Sequence, residues 1–201
     1  MRLPYIPDPP RTASETDSAI VSRIQTRRAP RPLQPLDLAL LHSPPLADGW
    51  NSFLLAVRTQ TSLPADIREV AISRVAVCNS AWYEWMHHAP LAVQAGVSVE
   101  AMEEVVKLPD LHDGAGGKRP EKADLLNEKQ WATLVYTDEM TRNVSVKDET
   151  FAELKRLFNE REVVEITTTV ACYNCVSRFL VALDVGERNG TTPDSLASAS
   201  H

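Results

Sequence analysis

The sequence predicts an all-α protein. Three observations carry that prediction: apolar residues recur at helical spacing between Ser14 and Gly186, helix start and stop signals punctuate them, and no alternating strand pattern with hairpin turns occurs. Two of the expected helices, one over about residues 64–78 and one over about 161–185, are apolar on most sides, which is the pattern of a buried helix. Each follows a shorter amphipathic helix, and Glu69 and Glu165 stand near the two starts, so two similar helical halves packed together are one reading of the pattern.

Residues 1–35 read as a proline-rich arm with one helix. Pro4, Pro7, Pro9 and Pro10 favour an extended arm, suited to lying along a neighbour or staying loose. Ser14 caps a helix with Glu15 and Asp17 in its first turn and Ile20, Val21 and Ile24 on one edge, ending before Pro30. From Leu36 to Leu41 there is room for one or two helical turns between prolines. Asp48 is expected to cap the next helix, running to about Gln60 with Trp50, Phe53, Leu54 and Val57 on one face. Pro64 and Asp66 open the first buried helix, and Asn79 or Ser80 ends it and caps the next, over about 81–95. Pro90 inside that helix predicts a kink, and Gly96 stops it. Ser98 starts a helix that runs to Pro109; residues 109–123 read as a flexible loop with the length of a lid. Asn127 and Gln130 have capping-box spacing, Asp148 is expected to cap a helix bearing Phe151 and Leu154, and the last core helix ends at Gly186. The residues after it, 187–201, read as a disordered tail, and residues 36–186 as one helical domain.

Composition sets the class. Of the 201 residues, 43% are hydrophobic and 24% charged, with a formal net charge of −6. An acidic chain without a dense basic block is a poor match for nucleic acid or an anionic membrane, and no uninterrupted apolar run reaches the roughly 18 residues of a membrane span. Three cysteines and no leader-like apolar segment at the start point to the cytoplasm. The histidines do not cluster with metal-ligand spacing, so no metal is expected.

The chemistry is expected in the stretch Arg68 to Gly96. Glu69 lies on an apolar helix, and Glu84 and His88 are four apart, so they share a face one turn from each other. Trp82, Tyr83 and Trp85 beside Glu84 argue for a carboxyl sheltered from water, and they are candidate substrate contacts. Tyr173 and Arg178 are further candidates: Arg178 would hold a substrate carboxylate or, alternatively, pair with a buried glutamate. For Glu69 the competing reading is an ion pair with Arg68, Arg74 or Arg178. Cys172-Tyr173-Asn174-Cys175 has redox spacing but falls in mid-helix, away from the helix N-terminus that activates such thiols.

These residues carry a resemblance. Glu69, Ala81-Trp82-Tyr83-Glu84 and His88 resemble the active-site pattern of the carboxymuconolactone decarboxylase-like proteins and of the wider superfamily of alkyl-hydroperoxidase D-like enzymes. In the hydroperoxidase branch a Cys-x-x-Cys lies between the glutamate and the histidine; those two positions are Ala81 and Glu84 here. The spacing of Glu84 and His88 resembles the decarboxylase branch instead, as does the segment EWMHHAPLAVQAGVSVEAMEEV over its length. The likeness extends over about residues 36–186 and is to the longer, roughly 200-residue members. It implies a helical bundle, commonly a homo-oligomer, acting on a small-molecule substrate. It implies a cofactor-independent lyase that decarboxylates a small lactone, keto acid or oxygenated aromatic metabolite through an enolate, with His88 as general acid/base, Glu84 as its orienting partner or proton relay and Glu69 as a second polar anchor. An isomerase or cyclase would use the same site. A thiol-dependent hydroperoxide reductase and a non-catalytic oligomerisation module are the readings from other classes.

Overall fold

The computed structural model describes residues 1–108 and 125–196; the loop expected at 109–123 and the end of the expected tail, 197–201, lie outside these. Among the described residues there is no strand, and nine α-helices follow one another: α1 (Glu15–Arg28), α2 (Pro35–Leu40), α3 (Pro44–Thr59), α4 (Ala65–Cys78), α5 (Trp82–Gln94), α6 (Val99–Lys107), α7 (Glu128–Asn143), α8 (Asp148–Leu157) and α9 (Glu160–Leu183).

The chain divides into two compact units, one of Met1–Thr61 with Ala182–Glu187, the other of Ser62–Val181 with the segment from Arg188 onward. The boundary falls between Thr61 and Ser62, inside the domain expected over 36–186. The prolines from Pro30 to Pro45 do not separate an arm, because α1 turns its Ile20, Val21 and Ile24 edge inward and packs, like α2, on α3.

Within the first unit the N-terminal arm lies on its own chain. Arg2 donates its backbone N–H to the Leu183 carbonyl at 2.8 Å, His42 Nε2 is 2.8 Å from the Pro4 carbonyl, and the Tyr5 hydroxyl accepts from the Gly186 N–H at 2.8 Å. Asp37 is buried between Arg27 and Arg28, with Arg28 Nε 2.6 Å from Oδ2. The start of α3 differs from expectation: Ser43 is the N-cap and two prolines occupy the first turn, where a missing N–H costs nothing. Asp48 therefore stands inside the helix and pairs with Arg23 at 2.7 Å. Of the expected apolar face, Leu54 and Val57 are buried together with Ala47, whereas Phe53 is exposed.

The second unit is organised around α4, which packs most extensively on α5 and α7. Its end explains the hairpin that follows. Ser80 takes a left-handed φ of +51° and donates to the Val77 carbonyl, and Ala81 donates to the Ala76 carbonyl at 2.8 Å. This is the Schellman pattern, closed by a serine in place of the usual glycine. Ala81, not Asn79 or Ser80, is then the N-cap of α5 and supplies no side-chain cap. The same motif ends α5: Gly96, at φ +99°, donates to Val93, and Val97 donates to Ala92. Pro90 lies within an unbroken helix assignment over Trp82–Gln94.

Later caps follow the sequence in part. Asn127 and Gln130 form the expected box, whereas Asp148 is the first helical residue of α8, after Lys147 at the cap position. Glu139 of α7 reaches this helix start, accepting from the Lys147 N–H at 3.0 Å and from the Thr150 hydroxyl at 2.9 Å. Asn159 and Glu162 cap α9 reciprocally, at 2.9 and 3.0 Å. By length and composition α9 could cross a membrane. It carries side-chain bonds into the unit, however: Asn174 Nδ2 donates to Thr141 of α7 at 3.0 Å and Ser177 accepts from Asn79 at 2.7 Å.

The described part of the expected tail is placed. Trp85 Nε1 donates to the Asp194 carbonyl at 3.3 Å, Arg188 pairs with Asp194, and Leu196 is buried in the cluster that holds Trp85, Ala89 and Met102.

Candidate functional site

α4 and α5 bring the site together. Both are apolar on most sides, so polar groups on their facing sides are desolvated as soon as the hairpin closes. Glu69 is 4% exposed, Glu84 2% and His88 6%. Glu69 Oε2 lies 2.7 Å from His88 Nδ1, and Arg68 Nε donates to Oε1 at 3.1 Å, so both carboxylate oxygens are engaged. Burial pushes the Glu69 carboxyl up, but the hydrogen bond and charge of His88, followed by those of Arg68, outweigh it and hold the group below the usual carboxylate range. An ionised Glu69 accepts from Nδ1–H, which fixes the imidazole tautomer with its proton on Nδ1. Tyr173 of α9, fully buried, sets its ring edge-on to that imidazole at a centroid distance of 4.9 Å.

The assignment of partners changes accordingly. From sequence, Glu84 was expected to orient His88 and Glu69 to be a second anchor; Glu69 is the residue bonded to Nδ1, and Glu84 is buried one turn before His88 on the same face. The competing reading of Glu69 is realised at the same time, since Arg68 is its cationic partner. Arg74 is not, because it is spent elsewhere: its Nε and Nη2 lie 2.8 and 2.5 Å from Asp138 Oδ1, and Nη1 donates to the Val105 carbonyl at 2.9 Å, with both charged groups fully buried.

The expected substrate contacts separate. Tyr173 reaches the site. Trp85 belongs to the hydrophobic core, with its ring buried and its N–H taken by Asp194, and Trp82 is half-buried against the same cluster. Tyr83 is buried beside His87, their rings 4.5 Å apart. Arg178 is exposed and its guanidinium donates to the Asn174 carbonyl and Oδ1 one turn back, so it pairs with no buried glutamate. These outcomes share a cause: helix periodicity places a residue on a face but does not say which faces meet.

The cysteines are poorly placed for thiol chemistry. Burial, first, and the neighbouring Asp138 carboxylate push the Cys78 thiol up to about 12 against the opposing charge of Arg74. Its Sγ donates to Asp138 Oδ1 at 3.2 Å. Cys172 is buried and Cys175 exposed, three residues apart in mid-helix. Among the described residues no group of three or more His, Cys, Asp and Glu side chains is arranged to hold a metal ion.

A stability prediction follows from Glu69. A carboxyl whose folded pKa lies below its unfolded value of about 4.3 contributes stability above that value and loses it as pH falls through the folded value. Glu69→Gln removes that titration. Urea unfolding of both proteins from pH 6 to 3 is expected to show the wild type losing its advantage below about pH 4; parallel curves would contradict the Glu69–His88 coupling.

The comparisons with known proteins bear on the family region and the fold. The family model described as the carboxymuconolactone decarboxylase family matches residues 44–115, which contain Glu69, Glu84 and His88. Among solved structures, a peroxidase-related protein from Silicibacter sp. TM1040 is similar at 16% identity, with 94% of this chain and 95% of that one covered and a TM-score of 0.65. An alkylhydroperoxidase AhpD core protein from Ralstonia eutropha JMP134 is similar at 15% identity over 96% and 97%, with a TM-score of 0.66. A cysteine-to-alanine form of the debrominase Bmp8 in complex with 2,3,4-tribromopyrrole is similar at 16% identity over 86% and 88%, with a TM-score of 0.66. At such identities the likeness establishes the shared helical fold. The chain matches no functionally curated protein by sequence.

Proposed function

Because this chain is a carboxymuconolactone decarboxylase-like protein with an AhpD-like helical fold, we propose that it is an enzyme that moves protons at carbon, decarboxylating a small lactone, keto acid or oxygenated aromatic acid. The observation that carries the reading is the buried Glu69–His88 bond of 2.7 Å. A histidine held by an ionised carboxylate through Nδ1 exchanges a proton at Nε2 without reorienting. In the reaction, the bond to the substrate carboxyl carbon breaks, its electron pair passes into an enolate, and carbon dioxide leaves. His88, protonated, then returns a proton to carbon, and Glu84, one turn away on the same face, relays its replacement. Glu69 stays ionised and stabilises the imidazolium. The residues named for this step come from α4 and α5 alone.

Incubation with a panel of γ-lactone carboxylates, 2-oxo acids and hydroxylated benzoates in deuterium oxide tests it. Carbon dioxide release with one deuterium at the adjacent carbon is the expected result. Deuterium exchange without carbon dioxide would move the assignment to isomerisation or cyclisation in the same site, and neither signal across the panel would sink it.

Thiol-dependent peroxide reduction finds no support in the placement of Cys78, Cys172 and Cys175. At pH 8 iodoacetamide is expected to label Cys175 and leave native Cys78 unmodified, since a thiol at about 12 has almost no thiolate there. Turnover is expected to survive the labelling; its loss on modification of Cys175 would restore the thiol reading.

A further inference from the structure

The Glu69–His88 bond sets the register of the antiparallel α4–α5 hairpin. Stepping four residues from each partner toward the turn reaches Ser73 on α4 and Glu84 on α5, so these two stand at one level, a turn closer to the connection. Both are buried, Ser73 with 0% exposure. The Ser73 hydroxyl has no hydrogen-bond partner among the described residues. That is unusual for a hydroxyl in a helix, which ordinarily bonds to the carbonyl one turn back. Thr133, Thr137, Thr167 and Thr169 all make that bond here, at 2.7–2.8 Å. A buried hydroxyl left without a partner is destabilising unless something outside the chain binds it.

We propose that Ser73 is a further residue of this site, its hydroxyl donating to the oxygen on which negative charge develops as the enolate forms; the proposal rests on the proton-transfer reading above. The chemistry requires such a donor. Glu69 is an acceptor already engaged by His88 and Arg68, and His88 is committed to the proton at carbon. Ser73 shares its helix face with Glu69, one turn away, inside the desolvated hairpin, where a donor aimed at a developing oxyanion acts most strongly. In the unliganded protein the same hydroxyl binds a water oxygen.

Two measurements test this. The first compares Ser73→Ala, Ser73→Thr and His88→Ala on whichever panel substrate the wild type turns over, with melting temperatures for each. Ser73→Ala is expected to lose about 10²-fold in kcat with little change in KM and no gain in Tm, and Ser73→Thr, which restores a hydroxyl, to recover part of the loss. Full turnover and a raised Tm in Ser73→Ala, with His88→Ala inactive, would show a dry core hydroxyl and overturn the Ser73 assignment alone. Full turnover in both would overturn the proton-transfer reading and this proposal with it. The second is a crystal structure of the wild-type chain with and without a γ-lactone carboxylate. A water oxygen, replaced by a probe oxygen, is expected within hydrogen-bonding distance of Ser73 Oγ. A hydroxyl with no oxygen beside it in either crystal overturns the assignment whatever the kinetics show.

Discussion

His88→Ala is expected to fold and to lose about 10²–10⁴ in turnover, the range for removing a general acid/base. The fold should survive because the hairpin is held by apolar residues: Val70, Ala76, Ala81, Trp85, Ala89 and Ala92 are all buried in one cluster. Stability will fall nonetheless. Glu69 keeps Arg68 at 3.1 Å but loses its 2.7 Å partner, and a buried carboxylate that loses a hydrogen bond costs about 1–3 kcal/mol. His88→Gln separates the two effects, since its side-chain amide can donate to Glu69 without transferring a proton. It should recover much of the stability and none of the turnover. Circular dichroism and urea unfolding read the first, and substrate turnover the second. Wild-type activity in His88→Gln would remove His88 from the chemistry and leave it a structural partner of Glu69.

Asp138→Ala carries the largest expected effect on stability, about 3–5 kcal/mol. The Arg74 guanidinium is completely buried among α4, α6 and α7, and Asp138 is its counter-ion; the carbonyls of Val105 and Leu108 accept from it but do not neutralise it. Removing the carboxylate strands that charge and also takes the acceptor from Cys78 and Arg142. Against a total stability of roughly 5–15 kcal/mol for a domain, such a loss should show as poor soluble yield or a much lower urea midpoint. Replacing both partners, as Arg74→Met with Asp138→Leu, is expected to be far less damaging than either single change, because no unpaired charge remains. If the double variant were as unstable as the sum of the singles, the pair would not be acting as a unit.

Much of this molecule could be read before its structure. Ser14, Ser98 and the Asn127–Gln130 box cap the helices they were expected to cap, since these contacts are local and depend on residues three apart. The caps that differed, at Ser43, Ala81 and Lys147, are those where prolines, a Schellman turn or a distant side chain meets the backbone groups instead. The site was legible as three residue types at helical spacing, but the bond between two of them was not. Glu69 and His88 are nineteen residues apart, and their meeting depends on a turn that closes with Ser80 at positive φ, which few residues other than glycine signal in advance.

By itself, then, the sequence determined the helices, the burial of α4 and the concentration of Glu69, Glu84 and His88 in apolar surroundings, because periodicity and capping are short-range properties of the chain. The tertiary structure alone decided that Glu69 rather than Glu84 bonds His88, that Asp138 rather than Glu69 takes Arg74, and that Trp85 serves the core while Tyr173 faces the imidazole. A helical pattern gives each residue an angle about its own axis; only the packing of one helix on another turns those angles into partners.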